Sequence, residues 1–183
     1  ILLIVKKKRS VKPYLSLIIS VIITTIWLGY GYYLAHHVVR TNYTIYTEKD
    51  LGVDNFRIIQ ITDSHIGSTM DGDLFASYIK QINNVNPDIA VITGDFIDDD
   101  TTYKDMVKSC QALGNLKTKY GVYFIYGNHD KGYYKYREFD EDKFREELFK
   151  NNVTILEDAY ASIKNVVLIG RQDAQVKERL SAV

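Results

Sequence analysis

Three short clusters in this chain carry side chains able to bind metal ions or move protons. They are Asp63-Ser64-His65, Gly94-Asp95-Phe96-Ile97-Asp98 and Gly127-Asn128-His129-Asp130. Carboxylate oxygen mixed with imidazole nitrogen suits Mn, Fe or Zn, whereas a calcium site would take oxygen ligands only. Asp63 and His65, two positions apart, can both face one ion at a strand end or in the loop beyond. Taken singly, Asp-x-His and Gly-Asp are weak signals, and an isolated Asp63 would serve equally well to cap a turn. The third cluster says more, because it sets three polar groups directly after an apolar run.

Each cluster follows a segment rich in β-branched and aromatic residues. Phe56–Thr62, Ile89–Thr93 and Val122–Tyr126 read as strands. Between them Asp71–Val85 has helical spacing, with Leu74, Tyr78, Ile82 and Val85 on its apolar face. Asp105–Leu116 is a second helix with Met106, Cys110, Leu113 and Leu116 turned inward. Phe139–Asn151 is a third, with Phe144, Leu148 and Phe149 on its apolar side. Val153–Leu156 and Val166–Ile169 read as two more short strands, and no internal repeat is present. Strand–helix alternation of this kind predicts an α/β domain with a largely parallel sheet. In such sheets functional groups collect at the carboxyl ends of the strands, where all three clusters fall.

Ahead of the domain, Tyr14–Ala35 contains no charged residue. As a helix it would reach roughly 33 Å, about the hydrocarbon thickness of a bilayer. A transmembrane helix is therefore expected over 14–35, followed by a linker at 36–52 and the domain at 53–183. Lys6, Lys7, Lys8, Arg9 and Lys12 precede the span, while Arg40 is the cation close behind it. The positive-inside tendency puts the 1–13 flank in the cytoplasm and the domain outside. Trp27, Tyr30, Tyr32 and Tyr33 crowd the distal end, where aromatic rings favour the membrane interface. A cleaved signal peptide would want small residues before the cut, and Tyr33-Leu34-Ala35 supplies one. The apolar Ile1–Val5 reads either as the end of an earlier membrane helix or as a frayed amphipathic start. His36 and His37 are expected to be solvated at the interface.

Lys plus Arg and Asp plus Glu each total 23, so the formal net charge is zero. That balance argues against nucleic-acid binding, which wants a basic surplus. One cysteine, Cys110, excludes an intrachain disulfide framework and a Cys-cluster zinc site. Hydrophobic content of 46% with 25% charged residues is globular and excludes wholesale disorder.

In their order and spacing the three clusters resemble the signature of the calcineurin-like metallophosphoesterases: D-x-H, then G-D-x-x-D, then G-N-H followed by D or E. The resemblance runs from about Phe56 to Gly170. It implies a β-sandwich flanked by helices, carried here in its N-terminal portion, and a centre of two divalent ions (Mn, Fe or Zn). It implies Asp63 and His65 as ligands of the first ion, Asp95 as the bridging carboxylate, and Asn128 as a ligand of the second that also approaches phosphate. Gly94 and Gly127 would keep the backbone close to the ions. His129 corresponds to the catalytic imidazole that stabilises or protonates the leaving oxygen, with Asp98 orienting it and Asp130 supporting from behind. Asp99 and Asp100 lie outside the pattern and read as a solvated loop. The implied reaction is hydrolysis of a phosphomonoester, phosphodiester or pyrophosphate by in-line attack of a metal-bridging hydroxide. The anchor is similar to that of bacterial membrane-attached members, some of which are lipid-precursor pyrophosphatases. A phosphorylated small molecule or a lipid-linked substrate is the partner this implies.

The family also uses a lone histidine and a Gly-His-x-His segment further on, and no histidine follows His129 here. The resemblance then implies a first ion short of one ligand and a second short of two. A truncated chain, weak or inactive alone, is the expectation. Two alternatives stay open. One is a membrane-tethered module that binds phosphate or metal without turnover, and the other is an interaction domain with purely structural polar loops. Tyr133, Tyr134 and Tyr136 are read as surface residues rather than as the lining of a substrate pocket.

Overall fold

A computed structural model describes residues 13–132 and 134–181, so the expected basic flank lies outside the described residues, with Pro13 excepted. The chain divides into two units, Ile1–Thr44 and Ile45–Val183. The first contains α1, Pro13–Ala35. Apolar side chains cover it all round and are exposed. Its span Tyr14–Ala35 is long and apolar enough to cross a membrane. The rings of His36 and His37 stack on Tyr32 and Tyr33 at 4.1 and 4.8 Å. Residues 36–57 form no helix or strand.

In the second unit the order is β1 (Ile58–Ile61), α2 (Gly72–Asn83), β2 (Ile89–Thr93), α3 (Tyr103–Gly114), β3 (Val122–Ile125), α4 (Asn128–Gly132), a 3-10 turn (Tyr134–Tyr136), α5 (Glu141–Lys150), β4 (Val153–Ile155), β5 (Ala159–Ile163) and β6 (Val166–Gly170). Strands β1 to β4 make a parallel sheet in sequence order. Strands β5 and β6 make a separate antiparallel hairpin. The mixed α/β class with a parallel sheet is as expected.

Each long helix of this unit starts on a side-chain cap. Asp71, Thr102 and Asp140 accept from the amides of Leu74, Asp105 and Lys143 at 2.8, 3.1 and 2.9 Å. Such caps satisfy amides that have no partner within the helix. Helices α2, α3 and α5 cover one sheet face, where Phe75, Ile79, Met106, Leu113, Phe144 and Leu148 meet Ala90, Ile92, Val122, Phe124 and Val153. The hairpin shares an apolar groove with the other face, between Leu168 and Gly170 on one side and Val91, Tyr123 and Ile125 on the other.

Three local expectations need correction. The buried face of α2 runs through Phe75 and Ile79, while Leu74 is 39% exposed. Adjacent apolar rows compete on that helix, and the row whose aromatic ring reaches Phe96, at 5.2 Å, is the one buried. Phe149 of α5 is 55% exposed rather than inward. Strand β5 was not expected at all, because Ala159-Tyr160-Ala161-Ser162 is weakly apolar and becomes a strand through its pairing with β6.

Candidate metal centre

The three clusters meet at the carboxyl edge of the sheet. The register that sets β1 against β2 and β2 against β3 brings residues about thirty positions apart into hydrogen-bonding range there. The Asp63 amide donates to the Gly94 carbonyl at 3.2 Å, and the His65 amide to the Asp95 carbonyl at 3.0 Å. Apolar pegs seat these loops: Ile66, Phe96 and Ile97 are completely buried. Phe96 packs between Phe75, Phe124 and Phe144 at 5.2 to 6.1 Å. With those pegs buried, their polar neighbours Asp95 and Asp98 each bring a carboxylate oxygen within 4.8 Å of a ring nitrogen of His65.

The backbone at this edge is unusual. Asp63, His65 and Asp95 all have positive φ, at 52°, 40° and 50°. Left-handed backbone costs a side-chain-bearing residue about 1 kcal/mol and tends to persist where function demands it. Gly94 and Gly127 lie back to back: a Cβ on Gly94 would stand 2.9 Å from the Gly127 backbone. A Cβ on Gly127 would stand 2.2 Å from Asp95 Oδ1. Only two residues without side chains let these loops approach so closely.

Two groups of donor atoms result, and His65 belongs to both. Asp63, His65 and Asp95 present ligand atoms within 4.8 Å of one another, as do His65, Asp98 and His129. Asp98 joins the two imidazoles: its Oδ2 accepts from His65 Nδ1 at 2.9 Å and its Oδ1 from His129 Nδ1 at 3.0 Å. The rings stand edge to face, 4.9 Å apart. Burial opposes ionisation of Asp98, yet hydrogen bonds from the Asp99 amide and from the Asp99, His129 and Ser68 side chains outweigh it. Its carboxyl is held well below the usual carboxylate range. An ionised carboxylate can only accept, so both imidazoles carry hydrogen on Nδ1, which in the neutral ring leaves the lone pair on Nε2. That tautomer suits metal coordination through Nε2, with the carboxylate behind it fixing the ring.

Asp130 is only 1% exposed and faces the other way. Its Oδ1 accepts from the Phe96 and Ile97 amides at 2.9 and 3.0 Å, and its Oδ2 from the Gly127 amide at 2.8 Å. It staples the loop after β2 to the turn after β3 rather than offering an open carboxylate. Burial pushes its pKa up to about 6 despite the three amides. Asn128 opens α4 and is exposed, and the His129 amide donates to Asp95 Oδ1 at 3.1 Å. Asp99 is half-buried with its amide capping Asp98 at 2.9 Å, while Asp100 is exposed, as a solvated loop would be. Tyr136 is 77% exposed. Tyr133 lies outside the described residues.

Mixed oxygen and nitrogen donors, Nε2 lone pairs and a supporting carboxylate fit a divalent transition-metal ion. Sequence reading missed one residue, Arg137, whose guanidinium reaches the carbonyls of Asp98, His129 and Asp130. No local motif marks it.

The family model for calcineurin-like phosphoesterases matches residues 56–174, which include every side chain of the cluster. The chain belongs to that family. It is 38% identical over 112 residues to the uncharacterized metallophosphoesterase YkuE of Bacillus subtilis, a match covering 58% of this chain and 38% of that protein. A transmembrane protein with metallophosphoesterase domain from Danio rerio is 27% identical over 111 residues, 61% of this chain and 24% of the relative. An uncharacterized metallophosphoesterase of Helicobacter pylori is 29% identical over 127 residues, 68% and 32% respectively. The chain thus spans well under two thirds of the length of these relatives.

Proposed function

We propose that the protein is a membrane-anchored, metal-dependent phosphoesterase. Residues 14–35 form its anchor, 36–52 a linker, and 53–183 the N-terminal portion of a catalytic domain held outside the cytoplasm. The observation that carries this reading is the sharing of His65 between the Asp63–Asp95 carboxylates and the Asp98–His129 pair. It joins a site for a cation to a site for a proton within one cluster.

Asp63, His65, Asp95 and the Asn128 amide oxygen would hold two divalent ions of the Mn, Fe or Zn type. When bound, such ions lower the pKa of coordinated water and offset charge on phosphoryl oxygens. The protein's own residues then position the reaction. Asp98 accepts from Nδ1–H of both imidazoles; His65 Nε2 is then turned toward an ion, and His129, as the imidazolium, would carry on Nε2 the proton it gives to the leaving oxygen. Asp130 and the paired glycines hold the two loops that carry these residues close together. The substrate is a phosphomonoester, a phosphodiester or a pyrophosphate, small or lipid-linked. The uniform basic flank before the anchor supports placing that substrate on the outer side of the membrane.

The test uses the full-length protein with Mn²⁺, p-nitrophenyl phosphate and bis-p-nitrophenyl phosphate. Asp95→Asn and His129→Ala should each lower kcat/KM by at least about 100-fold, since a lost metal ligand or proton donor removes several kcal/mol of transition-state stabilisation. Equal turnover by wild type and either variant would sink the assignment. Tight Mn²⁺ binding without turnover would favour the tethered binding module instead.

A further inference from the structure

Arg137 lies in the bend between the 3-10 turn and α5, seven residues beyond Asp130, and belongs to none of the three clusters. Its guanidinium donates through all three nitrogens to main-chain carbonyls. Nε reaches the Asp98 carbonyl at 2.7 Å, Nη1 the Asp130 carbonyl at 3.0 Å, and Nη2 the His129 carbonyl. Among the described residues no carboxylate forms an ion pair with it.

Asp98 and His129 stand 31 residues apart in sequence, and their side chains meet in the 3.0 Å hydrogen bond described above. Arg137 grips the carbonyls of that same pair. The two residues are therefore tied twice, at the side-chain level by the imidazole and at the main-chain level by the guanidinium. We propose that Arg137 is a positioning residue, clamping the loop after β2 to the turn after β3 so that the Asp98 carboxylate stays between His65 and His129. The catalytic consequence rests on the phosphoesterase reading, but the geometric one does not.

The planar fork matters because three carbonyls converge on it. A lysine ammonium is a compact charge on a flexible stem and cannot reproduce the fixed fan of Nε, Nη1 and Nη2. A glutamine amide has two N–H donors for three acceptors, which leaves at least one carbonyl short of its partner. Either change should let the two loops drift relative to each other while their apolar pegs remain in place.

The experiment takes the full-length protein, labelled with ¹⁵N at histidine, as wild type, Arg137→Lys and Arg137→Gln. Arg145→Gln is the control: it breaks the ion pair of Arg145 with Glu157 at 2.7 Å, which bonds to none of the three carbonyls that Arg137 holds. In metal-free protein the His65 and His129 Nδ1–H resonances report their bonds to Asp98. Both Arg137 variants should lose or broaden those resonances well below their melting temperatures, whereas Arg145→Gln should lower the melting temperature and leave them unchanged. With Mn²⁺ and bis-p-nitrophenyl phosphate, both Arg137 variants should lose about 10- to 100-fold in kcat with KM little changed, the size of effect expected when support behind a ligand or a reacting group is misplaced. A folded Arg137→Lys or Arg137→Gln protein that keeps both Nδ1–H resonances overturns the proposal. If the resonances are lost but wild type neither binds Mn²⁺ nor turns over substrate, the clamp stands and the phosphoesterase reading falls.

Discussion

The two ends of the parallel sheet each bury an aspartate and treat it in opposite ways. At the amino end Asp88 accepts from the Arg57 amide at 2.6 Å and pairs with Lys119 at 3.1 Å. Burial alone would raise its pKa, but the Arg57 amide and Lys119 outweigh burial and hold it below the ordinary value. At the carboxyl end Asp130 has three amide donors and no cation bonded to its carboxylate among the described residues, and its pKa rises to about 6. The amino end is a structural edge whose charge is matched within the fold. The carboxyl end gathers Asp63, Asp95, Asp98 and Asp130 with backbone held in left-handed turns, an excess of negative charge suited to cations from outside. The two ends thus differ in charge, carboxylates gathered on one edge against an aspartate paired with Lys119 on the other, while left-handed backbone occurs at both, with Asn86 and Asn152 at the amino end.

The largest effect that separates the two ends is a pH dependence of opposite sign. Asp130 has a folded pKa of about 6 against 3.8 for the free group, which corresponds to about 3 kcal/mol. An acid raised in this way contributes stability below 3.8 and loses it as pH rises through 6. In metal-free protein the stability difference between wild type and Asp130→Asn should therefore fall by about 3 kcal/mol from pH 3.5 to 7.5, measured by urea unfolding. Asp88 is lowered, so its contribution is present above 3.8 and is lost in acid. The difference between wild type and Asp88→Asn should rise over the same range. Slopes of the same sign would erase the contrast.

Gly127→Ala sharpens it from the steric side. A Cβ at 2.2 Å from Asp95 Oδ1 and 2.5 Å from the Asp95 amide nitrogen must push the loops apart. Loss of about 2 kcal/mol in stability is expected, together with weaker Mn²⁺ binding by calorimetry. At pH 7, Asp88→Asn should cost about 1.5 kcal/mol, the worth of a charge-assisted hydrogen bond, and leave Mn²⁺ affinity unchanged. The smallest effect belongs to the start of α3, whose cap bonds to neither Asp88 nor Asp130. Thr102→Ala removes the cap on α3 and should cost about 1 kcal/mol in thermal or chemical unfolding, again with no change in metal binding.

Much of this was open to reading from residue order. Apolar runs at Ile89–Thr93 and Val122–Ile125 are strands within the core, Ile58–Ile61 is a part-exposed edge strand beside them, and polar clusters directly after all three fall at one edge. The uncharged Tyr14–Ala35 stretch is a helix by its length and composition alone. These features depend on neighbours a few positions away, which sequence states directly. Tertiary structure decided the rest. Phe75 rather than Leu74 faces inward because Phe96 waits across the core, and β5 exists because β6 pairs with it. Asp98 serves two imidazoles, Asp130 turns away under three amides, and Arg137 holds three carbonyls. Each of those contacts joins segments set side by side by strand register and helix packing. No local pattern encodes them, because the partner's position is fixed only when the sheet has closed its ranks and the core has filled.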